Sequence, residues 1–403
     1  MRTVIKALIF FVGYSVISQT NIQKLEHKLD SIYKNSSISG FGVSVITPDE
    51  ILFEKGFGYA DKAVEKGYTV NTIQNIGSVS KTFIGIALMK AIEQGKLSED
   101  TPINDILPFK VEHPKFPETP ILVKHLATHT SSILDTEAYE KSYVLEPDST
   151  LDLESYTKEE QKEYKAMSAN KKYSLKDFLY NHLNPEGLWY SKKNYKKQKP
   201  GERYEYSNVG SALLAFVIEL ATETPFEEYT KKFIFDKLNM NNTGWSYASI
   251  DASKHSKTYT ETGNEIPKYS LITYPDGGIR SSVKDLTLYL QELMKGHYGS
   301  GKILEKESFT EMMSPKISKA QFNTKKEIKD NYGFFWEVSP KGKMGHNGSD
   351  PGILTLMYFN KNEKVGAIFF MNTSVEGDKE LIKSVQNIWR SIKKYKKDYI
   401  NTI

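Results

Sequence analysis

Apolar positions recur along this chain with two different periods, and the switches between them outline its architecture. In Ile22–Tyr33, Leu25, Leu29 and Ile32 follow at three- and four-residue steps, which predicts an N-terminal helix. Gly42–Ile46 then alternates as a strand, Pro48-Asp49-Glu50 turns, and Ile51–Gly58 returns as a hairpin partner. After Gly77 the period lengthens again. Phe83, Ile84, Ala87, Leu88, Ala91 and Ile92 mark one buried helix face, and Gly95 ends it. Prolines punctuate the next stretch, from Pro102 to Pro120, and Lys124–Thr130 reads as a short helix running into a loop.

A second strongly apolar helix is predicted from Val209, Ala212, Leu213, Phe216, Val217 and Leu220, starting near Ser207 or Asn208, both good caps. Pro225–Ile234 is a further helix with proline near its first position. Tyr274-Pro275-Asp276-Gly277-Gly278 is a loop leading to an amphipathic helix, Val283–Met294. Tyr332–Val338, Lys343–Gly345, Ile353–Phe359 and Val365–Met371 read as consecutive antiparallel strands, and Leu381–Tyr395 closes the chain as a helix. With strands at both ends and helices between, the pattern predicts an α+β fold. One antiparallel sheet would form from the N- and C-terminal segments (about 22–80 and 270–395), flanked by helices, with a mainly helical part (about 81–269) inserted.

Composition narrows the classes. The chain has 403 residues, 39% hydrophobic and 26% charged, as in ordinary globular proteins. A net charge of +4 is too weak to argue for nucleic acid, and no repeat is visible. Met1–Ser18 reads as a signal peptide: Arg2 and Lys6, then an apolar run too short to span a bilayer comfortably. The expectation is therefore an exported protein, periplasmic or extracellular in a bacterium, with no stable membrane span after signal removal and acting as a monomer. Absence of cysteine excludes a disulfide framework. Between 135 and 200 the sequence is polar, with Lys192, Lys193, Lys196, Lys197 and Lys199 clustered; a solvated insertion is the preferred reading over a surface for an anionic partner. Residues 396–403 read as a basic tail.

One stretch carries chemistry. Asn75-Ile76-Gly77-Ser78-Val79-Ser80-Lys81-Thr82-Phe83 places a serine at a helix start and a lysine one turn on. Residues at i and i+3 share a helix face, so the Lys81 amine reaches the Ser78 hydroxyl. A serine becomes a nucleophile once a neighbouring base takes its proton, and unpaired N–H groups at a helix start favour the negative charge that develops. Alone, the pair reads equally as an N-cap and a solvated lysine.

Three separated elements together resemble a known family. Ser78-Val79-Ser80-Lys81, Tyr206-Ser207-Asn208 and His346-Asn347-Gly348 resemble, in order and spacing, the three motifs of the penicillin-recognising serine hydrolases. The branch they resemble holds class C β-lactamases, serine D-alanyl-D-alanine peptidases and related esterases. Lys-His-Leu-Ala-Thr-His-Thr-Ser from Lys124 and Asp-Gly-Gly-Ile-Arg-Ser-Ser from Asp276 are similar to the same branch, and the likeness runs from about Ile22 to Tyr395.

The resemblance implies that Ser78 forms an acyl-enzyme, Lys81 is its base, and Tyr206 passes a proton to the leaving group. It implies that Asn208 positions Lys81 and substrate, that His346, Asn347 and Gly348 bind substrate from a facing edge strand, and that the Ser78 and Ser349 N–H groups form the oxyanion hole. No metal or organic cofactor is implied. The structural alternatives are a core aromatic for Tyr206, a cap for Asn208 and a turn for His346-Asn347-Gly348. His129, flanked by threonines, reads as a packed or capping histidine. The family's β-lactamases carry lysine where this chain has His346; histidine there resembles the peptidases and esterases, and is fully charged only below about pH 6.5. The expected activity is a D-Ala-type peptidase or an esterase, on a small-molecule or peptidoglycan-derived peptide substrate. A β-lactamase and a catalytically weak penicillin-binding or ligand-sensing protein are the alternatives.

Overall fold

The structure, a computed structural model, describes residues 19–149, 153–322 and 330–402, so the expected leader Met1–Ser18 lies outside the described residues. Its centre is an eight-stranded antiparallel sheet. The N-terminal segment gives β1 (Gly40–Ile46), β2 (Ile51–Asp61) and β3 (Lys66–Gly67). The C-terminal segment gives β4 (Asn331–Tyr332), β5 (Glu337–Val338), β6 (Lys343–Asp350), β7 (Ile353–Asn360) and β8 (Val365–Met371). The strand order is β3-β2-β1-β8-β7-β6-β5-β4, so β1 joins the two ends of the chain by pairing antiparallel with β8, Val43 opposite Phe369.

Every residue of β1 and β8 is buried, because helices cover both faces of the sheet. Side chains alternate between two cores, as the two-residue strand period requires. Phe41, Val43, Val45, Ala367, Phe369 and Met371 enter one core. Against it lie α1 (residues 19–34), through Leu25 and Leu29, and the closing helix, through Leu381, Val385, Ile388 and Ile392. Ile46, Ile368 and Phe370 face the other, larger core. That core holds α2 (Lys81–Glu93), α3 (Asn208–Thr222) and α4 (Val283–His297). The closing helix, α5, spans Lys379–Ile400. The expected α+β architecture is thus the observed one.

Three boundaries differ from expectation. The strand expected over Tyr332–Val338 is split into β4 and β5 by a tight reversal, in which the Gly333 N–H donates to the Trp336 carbonyl at 2.8 Å and Phe335 takes φ 61°. Alternation cannot show this, because Phe334, Phe335 and Trp336 are all buried. β6 runs on past Gly345 to Asp350, paired with β7 throughout, although His, Asn, Gly and Ser there look like a turn. The predicted basic tail is mostly helix: α5 continues to Ile400, with Tyr399 and Ile400 packed against the core, Lys397 exposed and Lys396 partly buried. The polar insertion is joined to the body by a short ribbon, Tyr143–Leu145 on Tyr269–Leu271. Among the described residues no single helix is long and apolar enough to cross a membrane.

Since α5 covers the sheet face away from Ser78, its packing should bear on stability alone. Ile388→Ala, at a position with no exposed surface, should cost about 2–5 kcal/mol in urea unfolding. Reactivity of the folded protein towards a serine-directed fluorophosphonate should not change.

Candidate active site

A three-residue strand, Ile73–Asn75, pairs with Arg280–Ser282 and leads the chain to Ser78. Gly77 takes φ 53°, a left-handed turn that glycine adopts at no steric cost, and its N–H donates to Asn75 Oδ1 at 2.7 Å. Gly77–Ser80 is one 3-10 turn, and the α-helix proper begins at Lys81. The expected helix start is therefore tighter than an α-turn, but the three-residue spacing still works. Lys81 Nζ lies 3.2 Å from Ser78 Oγ.

Lys81 has no exposed surface, yet its ammonium meets no carboxylate within ion-pair distance among the described residues. Its other donors go to Asn208 Oδ1 and the Asp276 carbonyl, both at 2.6 Å. Three donors meet three neutral oxygens, which satisfies the ammonium fully. When the proton leaves, two N–H groups still have their carbonyl acceptors, and the lone pair faces the Ser78 hydroxyl. Each acceptor comes from a different part of the fold: the α2 turn, α3, and the Tyr274–Asp276 turn.

Ser207, not Asn208, is the α3 cap, its Oγ accepting from the Gly210 N–H at 2.9 Å. Asp135, which the sequence reading passed over, completes that end. Its carboxylate accepts from the N–H groups of Asn208 (2.8 Å) and Val209 (3.0 Å) and from Ser207 Oγ (3.2 Å). A carboxylate at a helix N-terminus opposes the helix dipole and holds Asn208 in place. Burial raises the Asp135 pKa; the two N–H groups and Lys81 work the other way.

Tyr206 is half-buried, with Lys81 Nζ 5.0 Å from its ring centre and the His346 ring 6.3 Å away. It is therefore not a core aromatic. His346, Asn347, Gly348 and Ser349 lie in β6, beyond Met344 and Gly345, where pairing with β5 ends; this stretch forms the exposed edge against the Ser78 turn. Contact there is backbone to backbone. A Cβ on Gly348 would stand 2.0 Å from the Ile76 carbonyl oxygen and 3.0 Å from the Ser78 nitrogen, and one on Gly77 would stand 3.0 Å from the Ser349 nitrogen. The Ser78 and Ser349 amides thus flank one seam.

His346 is buried, and its Nδ1 donates to the Asn347 carbonyl at 2.5 Å, which places a hydrogen on Nδ1. Burial, aided by the Lys81 charge and opposed by that carbonyl, holds its pKa down at about 4. The sequence-based expectation set this histidine's charge below about pH 6.5; burial moves it lower.

Two carboxyls beside the site go the opposite way. Asp276 accepts from the Tyr139 hydroxyl at 3.1 Å, and burial lifts it to about 6. Asp350 accepts from the Tyr143 hydroxyl (2.8 Å) and Asn75 Nδ2 (3.2 Å), and burial together with the Asp276 charge lifts it to about 7. Both tyrosines come from the polar insertion, so part of that segment reaches the site. Within the lysine cluster, Lys196 pairs with Glu205 and Lys199 lies over the Phe116 ring. Asn75 and Asp276 stood in stretches the sequence singled out; nothing in the sequence pointed to Tyr139, Tyr143 or Asp350.

A helix-start serine bonded to a lysine amine, a tyrosine over that amine, and an edge strand closing the cleft define the β-lactamase/transpeptidase-like class. The β-lactamase family model matches residues 22–386, and the chain belongs to that family. It is 26% identical over 377 residues to PbpX of Bacillus subtilis (strain 168), covering 88% of this chain and 78% of that one. The octameric penicillin-binding protein homologue from Pyrococcus abyssi superposes with a TM-score of 0.66 at 27% identity, over 88% of this chain and 74% of that chain. A class C β-lactamase superposes with a TM-score of 0.66 at 17% identity, over 92% and 99%, which shows a shared fold.

The seam yields a direct test. Gly348→Ala must push β6 off the Ser78 turn, because the obstacle is backbone, and a shift of about 1 Å can cost about a hundredfold in rate. Fluorophosphonate labelling should slow by that order. Gly67→Ala, whose Cβ would meet nothing within 4 Å, should label normally.

Proposed function

We propose that this chain is an exported serine hydrolase that opens an ester or amide through an acyl-enzyme on Ser78. Lys81 takes the Ser78 proton as Oγ bonds to the carbonyl carbon. The Ser78 and Ser349 N–H groups receive the oxyanion, and Tyr206 gives its proton to the departing oxygen or nitrogen and takes back the one Lys81 removed. Water then gives a proton to Lys81 as it attacks the acyl carbon, and Lys81 passes that proton to Ser78 Oγ as the acid leaves. The observation that carries this reading is the Lys81 geometry: two carbonyl oxygens at 2.6 Å absorb two donors and leave the third direction to Ser78 Oγ at 3.2 Å.

Of the two substrates expected, a D-Ala-ending peptide and a small ester, the neutral His346 favours the ester. A peptide carboxylate seeks a cation on the edge strand, and an imidazole held at about 4, its Nδ1–H already given to Asn347, has no N–H left to donate near pH 7. Kinship with a penicillin-binding protein homologue and a class C β-lactamase supports acyl-enzyme chemistry and leaves the acyl group open.

Intact mass after incubation with a fluorescent penicillin and with a fluorophosphonate tests the nucleophile. The unaltered protein should gain one adduct, and Ser78→Ala none; an undiminished adduct on Ser78→Ala would refute the assignment. An adduct that forms but never turns over, with no ester hydrolysed, would favour the ligand-sensing reading instead.

The pH dependence follows from His346. Because its folded pKa is depressed, its charge is absent above about pH 5. Asp276 and Asp350 titrate between about pH 5.5 and 7.5, so the rate ratio between a carboxylate-bearing peptide and a neutral ester moves with them there, but His346 should add nothing to that change: His346→Asn should follow the same profile until pH approaches about 4. His346→Lys should shift preference towards the carboxylate substrate by about tenfold, the worth of one charge-assisted hydrogen bond. A titration near pH 6.5 that is present in the unaltered protein and lost in His346→Asn would sink the neutral-histidine account.

A further inference from the structure

His129 sits in the loop that follows the short helix Val123–Ala127, and it is buried with φ 55°. A histidine in the left-handed region is uncommon and is kept only where its surroundings over-determine it. Those surroundings are the residues on either side of Tyr206. The Glu205 N–H donates to the His129 carbonyl at 2.7 Å, and the Ser207 N–H donates to His129 Nδ1 at 3.2 Å. Between these two bonds the Tyr206 ring lies 4.4 Å from the imidazole, tilted by 30°. Since Nδ1 accepts, Nε2 carries the hydrogen; it is buried without a hydrogen-bond partner, and the Phe335 and Tyr204 rings stand edge-on around the imidazole. One residue therefore holds the backbone before Tyr206, the backbone after it, and the ring itself.

We propose that His129 is the positioning residue for Tyr206, a neutral imidazole that fixes the phenol over Lys81 and Ser78. The inference rests on the reading of Tyr206 as proton donor to the leaving group. Only the neutral ring can fill the role, because a second proton would turn the Nδ1 acceptor into a donor facing the Ser207 N–H. It would also set a cation against Tyr206 and near Lys81. Burial first, then the Lys81 charge, keeps that proton away. His129 touches no reacting atom in this account. Its effect passes through the tyrosine, so losing it should slow only those steps in which Tyr206 moves a proton.

That restriction is testable with two esters of one acid. Ethyl butyrate expels an alkoxide that needs a proton, whereas p-nitrophenyl butyrate expels a phenolate that does not. His129→Phe keeps a flat ring and removes the acceptor; His129→Asn keeps an acceptor and tolerates positive φ. On ethyl butyrate, His129→Phe should lower kcat by about tenfold to a hundredfold with KM within about twofold, and His129→Asn should restore most of the loss. On p-nitrophenyl butyrate both variants should match the unaltered protein, which also shows that they fold. In a Tyr206→Phe background, His129→Phe should add nothing further.

An equal fall on both esters, a further fall without the phenol, or no fall at all would each overturn the positioning role. If Tyr206→Phe alone hydrolyses ethyl butyrate at full rate, the proton-donor reading fails and takes this proposal with it. If the unaltered protein turns over neither ester, it is the hydrolase reading that fails, and the positioning role falls with it.

Discussion

Where the strand carrying Gly348 crosses the turn carrying Gly77, backbone meets backbone with no side chain between. That approach sets the width of the cleft, since any Cβ on Gly348 would lie within bonding range of the Ile76 carbonyl oxygen. It places two N–H groups, from Ser78 and Ser349, along one seam, and puts His346 against the same site as Tyr206. The two backbones come from sequence positions far apart, and they meet because β1 and β8 zip the chain's ends into one sheet. Position in the cleft is therefore inherited from the rigid sheet, and loop conformation contributes little to it.

Charge is distributed with equal economy. Lys81 is buried among neutral oxygens, and burial shifts the groups around it towards their uncharged forms. His129 and His346 are kept neutral mainly by burial, while Asp276 and Asp350 are lifted to about 6 and about 7 for the same reason. Desolvation acts on acids and bases in opposite directions but with one result, since it disfavours whichever form is charged.

The polar segment between about 135 and 200 has two characters. Most of it is solvated, as its composition suggests, but its first turns carry side chains into the site. Asp135 caps the helix bearing Asn208, Tyr139 meets Asp276, and Tyr143 meets Asp350. The ribbon between Tyr143–Leu145 and Tyr269–Leu271 fixes those turns to the body. An average of polarity over the segment hides three residues that are anything but surface.

The sequence by itself determined the elements and the reacting pair. Period-two and period-3.6 patterns depend on which face of a strand or helix is buried, so β1, β7, β8 and the helices around Phe83 and Val209 were legible. Ser78 and Lys81 were legible because a helical turn makes them neighbours whatever else the chain does. Only the tertiary structure decided the split at Phe334–Trp336, the strand through His346–Asp350 and the helix reaching Ile400. Local polarity there is overruled by ladder pairing and by packing on one side. The site's electrostatics also lay beyond the sequence: a histidine's pKa follows its burial and its neighbours. His346 and His129 owe theirs first to burial and then to Lys81, which the fold brings up from a distant part of the chain.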